Sequence, residues 1–174
     1  MVAQILLISA FCLPSVLLQE SPVDLKAIQK SAQALATATK KGDVPGLLEG
    51  TYPKAVEMMG GKDAAEKAIR SAMDDFGKKG ITFTKAECSE PKEIQKVDGK
   101  WYAVVPMVVE MQVPNGLATS PSYLLGVSED GGRVWKFIDG SGLKNAKGRE
   151  VMLPGIHEKL KLPTYQPPKF TPNP

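Results

Sequence analysis

The chain changes its hydrophobic period once, near residue 80. Before that point apolar residues recur at helical spacing, and after it they alternate. Leu25, Ile28, Ala32 and Leu35 recur with Lys and Gln between them, behind a Ser21-Pro22-Val23-Asp24 start in which Ser21 is the expected cap. Lys40-Lys41-Gly42 supplies cations for the helix end and a glycine stop. Asp43 restarts a helical turn through Leu47 and Leu48. Thr51-Tyr52-Pro53 opens a brief helix that Gly60-Gly61 closes. A further helix is expected from Asp63 to about Phe76, with Ala65, Ile69, Ala72, Met73 and Phe76 as its apolar stripe. Each helix has one apolar face, so each needs another surface to pack on.

The second half supplies that surface. Ile81–Glu87 reads as a strand, and Glu93–Val97 and Trp101–Val113 flank Asp98-Gly99, a two-residue hairpin signal. The long strand places Trp101, Ala103, Val105, Met107, Val109, Met111 and Val113 on one face. Tyr102, Val104, Pro106, Val108, Glu110 and Gln112 lie on the other. The odd-numbered face is the more apolar and is expected to meet the helices. Pro106 cannot donate to a ladder and suggests a bulge or bend. The stretch PNGLATSPS is expected to be a loop leading into a last hairpin, Ser122–Ile138. With Asp130-Gly131 as a type I′ turn, Trp135 would face Gly126 and Phe137 would face Leu124, a buried aromatic seam.

Ser128, Asp130, Gly132 and Trp135 resemble the Asp-box, with Val134 where Thr is usual. In sialidases and other propellers that motif is a repeated structural hairpin. A single copy implies a hairpin and no glycosidase chemistry.

Helices followed by an antiparallel meander define an α+β class, with N-terminal helices packed in a curved antiparallel sheet. Length suits one domain of 174 residues. The net charge is +3, and from Leu143 onward six Lys/Arg face two Glu, so residues 1–142 carry −1 and the excess sits in the tail. That distribution argues against a nucleic-acid face on the folded body. Residues 1–19 carry no charged side chain and are mostly apolar, and 1–20 read as an export signal or an N-terminal membrane anchor, which implies a periplasmic or secreted protein. The organisation read from the chain is therefore a leader (1–20), an α+β domain (21–142) and a basic, proline-rich tail (143–174). Cys12 and Cys88 make no disulfide framework, and the single His157 gives no Cys/His nucleophile pair. No metal-ligand cluster, phosphate loop or cofactor motif is expected.

The order of elements over residues 22–142 resembles the nuclear transport factor 2-like superfamily, a cystatin-like cone of curved sheet around N-terminal helices. Locally, Gly42-Asp43, Thr51-Tyr52-Pro53-Lys54, Met59-Gly60-Gly61 and Ser122-Tyr123-Leu124 through Asp139-Gly140 look like one group of exported bacterial members. The resemblance implies the cone but no single activity, since the superfamily holds isomerases, hydrolases, polyketide cyclases and plain binding or dimerisation modules. A binding module for a small apolar ligand or a protein partner is the first expectation, with Tyr52, Tyr102, Glu110 and Met107 as candidate ligand contacts. Homodimerisation through the sheet face and membrane contact through residues 1–20 stay open. The alternative is a small isomerase- or cyclase-like enzyme with Glu110 as general base in an apolar pocket, assisted by Tyr102.

Overall fold

The structure is a computed structural model and describes residues 23–173. The export-signal reading and the proposed Ser21 cap therefore lie outside the described residues. Four helices come first: α1 (Leu25–Lys41), α2 (Val44–Gly50), α3 (Pro53–Met58) and α4 (Lys62–Lys78). Asp24 caps α1, its carboxylate accepting from the backbone N–H of Lys26 and Ala27. Gly42 closes it in the left-handed conformation, φ 65°. Asp43 then caps α2 by accepting from Gly46 N.

Six strands form one antiparallel sheet, which makes the chain an α+β protein. They are β1 (Thr82–Cys88), β2 (Glu93–Val97), β3 (Lys100–Val113), β4 (Gly116–Ser128), β5 (Lys136–Asp139) and β6 (Lys169–Pro172). β3 and β4 pair along their whole length and form the spine. β1 and β2 share the outer edge of β3, and β5 and β6 share the outer edge of β4. The Asp98-Gly99 turn joins β2 to β3 with both residues at positive φ, 48° and 81°, as a type I′ hairpin requires.

The odd-numbered face of β3 meets α1. Ile28, Ala32, Leu35 and Ala36 pack on Ala103, Val105, Met107, Leu124, Trp135 and Phe137. α1 also closes the outer edge of β1. Gln33 accepts from Cys88 N and donates to Ala86 O, both at 2.9 Å, while Gln29 donates to Cys88 O at 3.0 Å. Two glutamines one helical turn apart thus substitute for a neighbouring strand.

Four expectations need correction. First, PNGLATSPS is not a loop. Only Pro114-Asn115 turns, and Gly116 onward is strand, because pairing with β3 continues to Val113↔Gly116. Second, Pro106 makes no bulge; the β3–β4 register runs through it unbroken, and the irregularity lies in β1 between Phe83 and Lys85. Third, the last hairpin is shifted by two residues: Gly126 faces Phe137, and Leu125 faces Ile138. A two-residue shift keeps every side chain on its intended face. The cause is the loop Glu129–Trp135, where Asp130 Oδ1 accepts from Ser128 Oγ (2.8 Å), Val134 N (3.0 Å) and Arg133 N (3.1 Å). Gly132 N donates to Ser128 Oγ, and Trp135 Nε1 donates to Gly132 O at 2.9 Å. Positive φ falls on Gly131 and Gly132, not on Asp130, so no type I′ turn forms there. Trp135 and Phe137 nevertheless both cover Gly126, where a Cβ would lie 3.0 Å from each ring.

Fourth, the segment from Leu143, read above as a basic, proline-rich tail, contributes to the core. A 3₁₀ turn (Gly140–Leu143), α5 (Ala146–Met152) and α6 (Ile156–Lys159) fold back over the even-numbered face of the sheet. Leu143, Met152, Leu153, Ile156 and Leu160 are buried there with Tyr52, Tyr102, Val104, Tyr123, Leu125, Val127 and Ile138. The sheet therefore has an apolar core on each side. None of the helices of the described residues is long and apolar enough to cross a membrane.

Candidate functional site

The site begins with two prolines. Ser89 N donates to Pro106 O and Lys92 N to Val104 O. Even-numbered residues of β3 therefore turn their backbone groups away from β4, because backbone N–H and C=O of one strand residue point to one side. Pro106 falls where β1 has ended at Cys88↔Met107 and β2 has not yet begun at Glu93↔Val104. Its missing N–H falls at the break between the two edge strands, where Ser89 N donates to Pro106 O and no return bond is made. The same alternation turns the backbone of the facing residues, Pro121 and Tyr123, toward the outer edge of β4. There β6 pairs only Gly116–Thr119 and β5 only Leu124–Val127. Residues 120–123 are left without a strand beside them, and Pro121 again sits in the gap.

A cleft of about 810 Å³ opens over this gap. Its floor is Val104, Pro106 and Tyr123, and its far wall is the segment 161–166. Three ties hold that wall: Lys161 N donates to Glu93 Oε1 (3.0 Å), Leu162 packs on the second core, and Lys144 Nζ stands 3.4 Å from the centre of the Tyr165 ring. Gly140 lets the backbone lie on the Tyr123 ring; a Cβ there would come within 2.5 Å of it. The volume lies within the usual range for small-molecule sites, ~300–1,000 Å³.

The lining is strongly basic. Lys92, Lys144, Arg149 and Lys161 face one carboxylate, Glu93, whose Oε1 already accepts from the Lys161 backbone. Asn145 caps α5 through Gly148 N, which sets Arg149 one turn into that helix. Arg149 Nη1 is anchored on Leu143 O at 3.2 Å, while its Nε is buried with no acceptor among the described residues. Burial pushes the Tyr123 phenol above its ordinary value, an effect Arg149 partly offsets. Tyr123 is thus protonated at neutral pH and can donate. The cleft supplies donors, positive charge and an apolar floor.

The four residues singled out from sequence do not converge. Met107 is buried on the opposite face under α1. Tyr102 is buried under the C-terminal segment, and Glu110 stands eight strand positions away, ~26 Å along β3, beside Lys85 and Thr119. Neither lines the cleft. Tyr52 enters a separate polar cluster, donating to Glu129 Oε1 at 3.0 Å, which also accepts from Lys100 Nζ at 2.5 Å. Burial, then the Glu129 bond, raise the Tyr52 phenol; the Lys100 and Tyr52 donors hold Glu129 below its ordinary value. This cluster ties α3 to the loop after β4. No phenolate base arises there, since the shift is upward. Among the described residues no group of three or more His, Cys, Asp or Glu is placed to hold a metal.

Sequence reading missed the cleft because its cations lie on both sides of residue 142. The one available signal was the basic excess after Leu143, assigned above to a tail. Compared with known proteins, the chain matches no family model, no curated protein and no solved structure. Fold and site together define a class: an α+β protein with a doubly covered sheet and a basic cleft at an open strand edge.

Proposed function

We propose that this protein is an exported, non-catalytic binding module of nuclear transport factor 2-like build, with its ligand seat in the cleft between β4 and residues 161–166. Helices ahead of the strands, and α1 laid across a long antiparallel pair, are the arrangement the superfamily resemblance implies. One observation carries the binding reading: a cleft of ligand size lies over strand residues that have no sheet neighbour. Its charged groups are four cations against one carboxylate, Glu93, one oxygen of which accepts from the Lys161 backbone. This favours holding a molecule over converting one.

Native mass spectrometry of the purified protein, with a matched Pro121→Trp variant, tests the reading. Pro121 shares the cleft face with Tyr123, so an indole there fills the floor. Wild type should carry added small-molecule mass, or gain it on exposure to a fragment mixture, and the variant should not. Equal retention by both proteins would place any ligand elsewhere and end this proposal.

A further inference from the structure

We infer that the cleft selects a small molecule bearing an oxyanion on an apolar, ring-sized body, the oxyanion meeting Arg149 and the surrounding lysines and the body resting on Tyr123, Val104 and Pro106. The inference rests on the cleft being a binding seat, as proposed above, and replaces the apolar ligand expected from sequence with an amphipathic anion. Four cations against one engaged carboxylate would repel a cationic ligand, and a neutral one would leave the positive field uncompensated. The Leu143 carbonyl fixes the guanidinium through Nη1, so the cationic group that lines the cleft is pre-oriented for a charge-assisted bond to an oxyanion. The Tyr123 hydroxyl, held protonated, adds a neutral donor at the junction of the polar and apolar parts.

Two fluorescent probes separate charge from shape: 1-anilinonaphthalene-8-sulfonate and N-phenyl-1-naphthylamine, the same ring system with and without an oxyanion. In low salt the sulfonate should bind about 10-fold more tightly, and added salt should narrow the gap. Arg149→Gln should bring the two probes to nearly equal affinity. Because that variant also loses the Leu143 tie, the exposed pair Lys92→Gln/Lys161→Gln serves as a second test, weakening the sulfonate about 3-fold and sparing the neutral probe. Displacement of the sulfonate by benzoate or by phenyl phosphate identifies which oxyanion the cleft takes; displacement by neither overturns the inference. Equal binding of both probes to wild type, unchanged in these variants but abolished by Pro121→Trp, overturns the anion selectivity and leaves the binding reading standing. Binding that Pro121→Trp does not touch sinks the binding reading itself.

Discussion

Trp135 shows how one side chain can serve a turn and a core at once. Its indole N–H closes the Glu129–Trp135 loop on Gly132 O, while its ring lies with Phe137 over the bare backbone of Gly126. Trp135→Ala removes both roles and should cost ~3–5 kcal/mol, read as a lowered midpoint in chemical denaturation; a loss below ~1 kcal/mol would mean that the seam contributes little. Asp130 governs the same loop by charge. The Val134 N–H, then the Ser128 hydroxyl, hold its carboxyl below the ordinary value. A depressed folded-state value means stability that is present above the unfolded value and lost as pH falls through the folded one. Melting temperature should therefore drop on acidification through the carboxylate range, and Asp130→Asn should flatten part of that drop; parallel curves for variant and wild type would count against the loop's role. The Asp-box resemblance made these residues legible in sequence, since Ser128, Asp130, Gly132 and Trp135 all take part in the loop's hydrogen bonds. The register was not legible. A dipeptide rule scores Asp130-Gly131 as a turn, whereas the loop is decided by a carboxylate gathering three donors from across seven residues.

At the scale of elements, the two faces of β3 had different visibility. The odd-numbered face was readable because its partner, α1, announces itself through Ile28, Ala32 and Leu35 at helical spacing. The even-numbered face was not, because Tyr102 and Val104 are covered by Leu143, Leu153 and Ile156, which follow no period and are separated by Pro154-Gly155. Nor could spacing show that Gln29 and Gln33 face a strand edge; glutamine between apolar helix positions usually faces water. Gln33→Ala should strand Ala86 O and Cys88 N in a part-buried site and cost ~1–3 kcal/mol, measurable by denaturation and by faster amide exchange at Cys88. Exchange unchanged at Cys88 would show that water replaces the glutamine without loss. The two prolines carry a related lesson. Each looks like a strand breaker, yet Pro106 sits at the break between β1 and β2 and Pro121 sits where β4 has no outer strand, and the cleft opens over that β4 gap.

For the molecule as a whole, the decisive question is whether residues 143–160 complete the fold or decorate it. Composition points to decoration, since the segment is basic and leads into a proline-rich end. Burial points the other way. Leu143, Met152, Leu153, Ile156 and Leu160 are each at most 8% exposed. Burying such side chains is worth ~1.5–3 kcal/mol apiece, on the order of 10 kcal/mol together, comparable to the ~5–15 kcal/mol net stability of an ordinary domain. A fragment ending at residue 142 should then fail to hold even the opposite core, because the same β3 and β4 backbone supports both. Cys88 reports on that opposite core. It is buried beneath α1, desolvation pushes its thiol up to about 11, and a chain beginning at residue 23 has no other cysteine. In a 23–173 fragment, Cys88 should react with a thiol reagent at neutral pH only as fast as the protein opens, since the neutral thiol is both shielded and a poor nucleophile. In a 23–142 fragment it should react near the rate of an unfolded peptide, and the exposed Tyr102, Val104, Tyr123 and Leu125 should drive association visible by gel filtration. If the shorter fragment stays monomeric and keeps Cys88 protected, the helical core stands alone and the C-terminal segment is only a lid on the cleft.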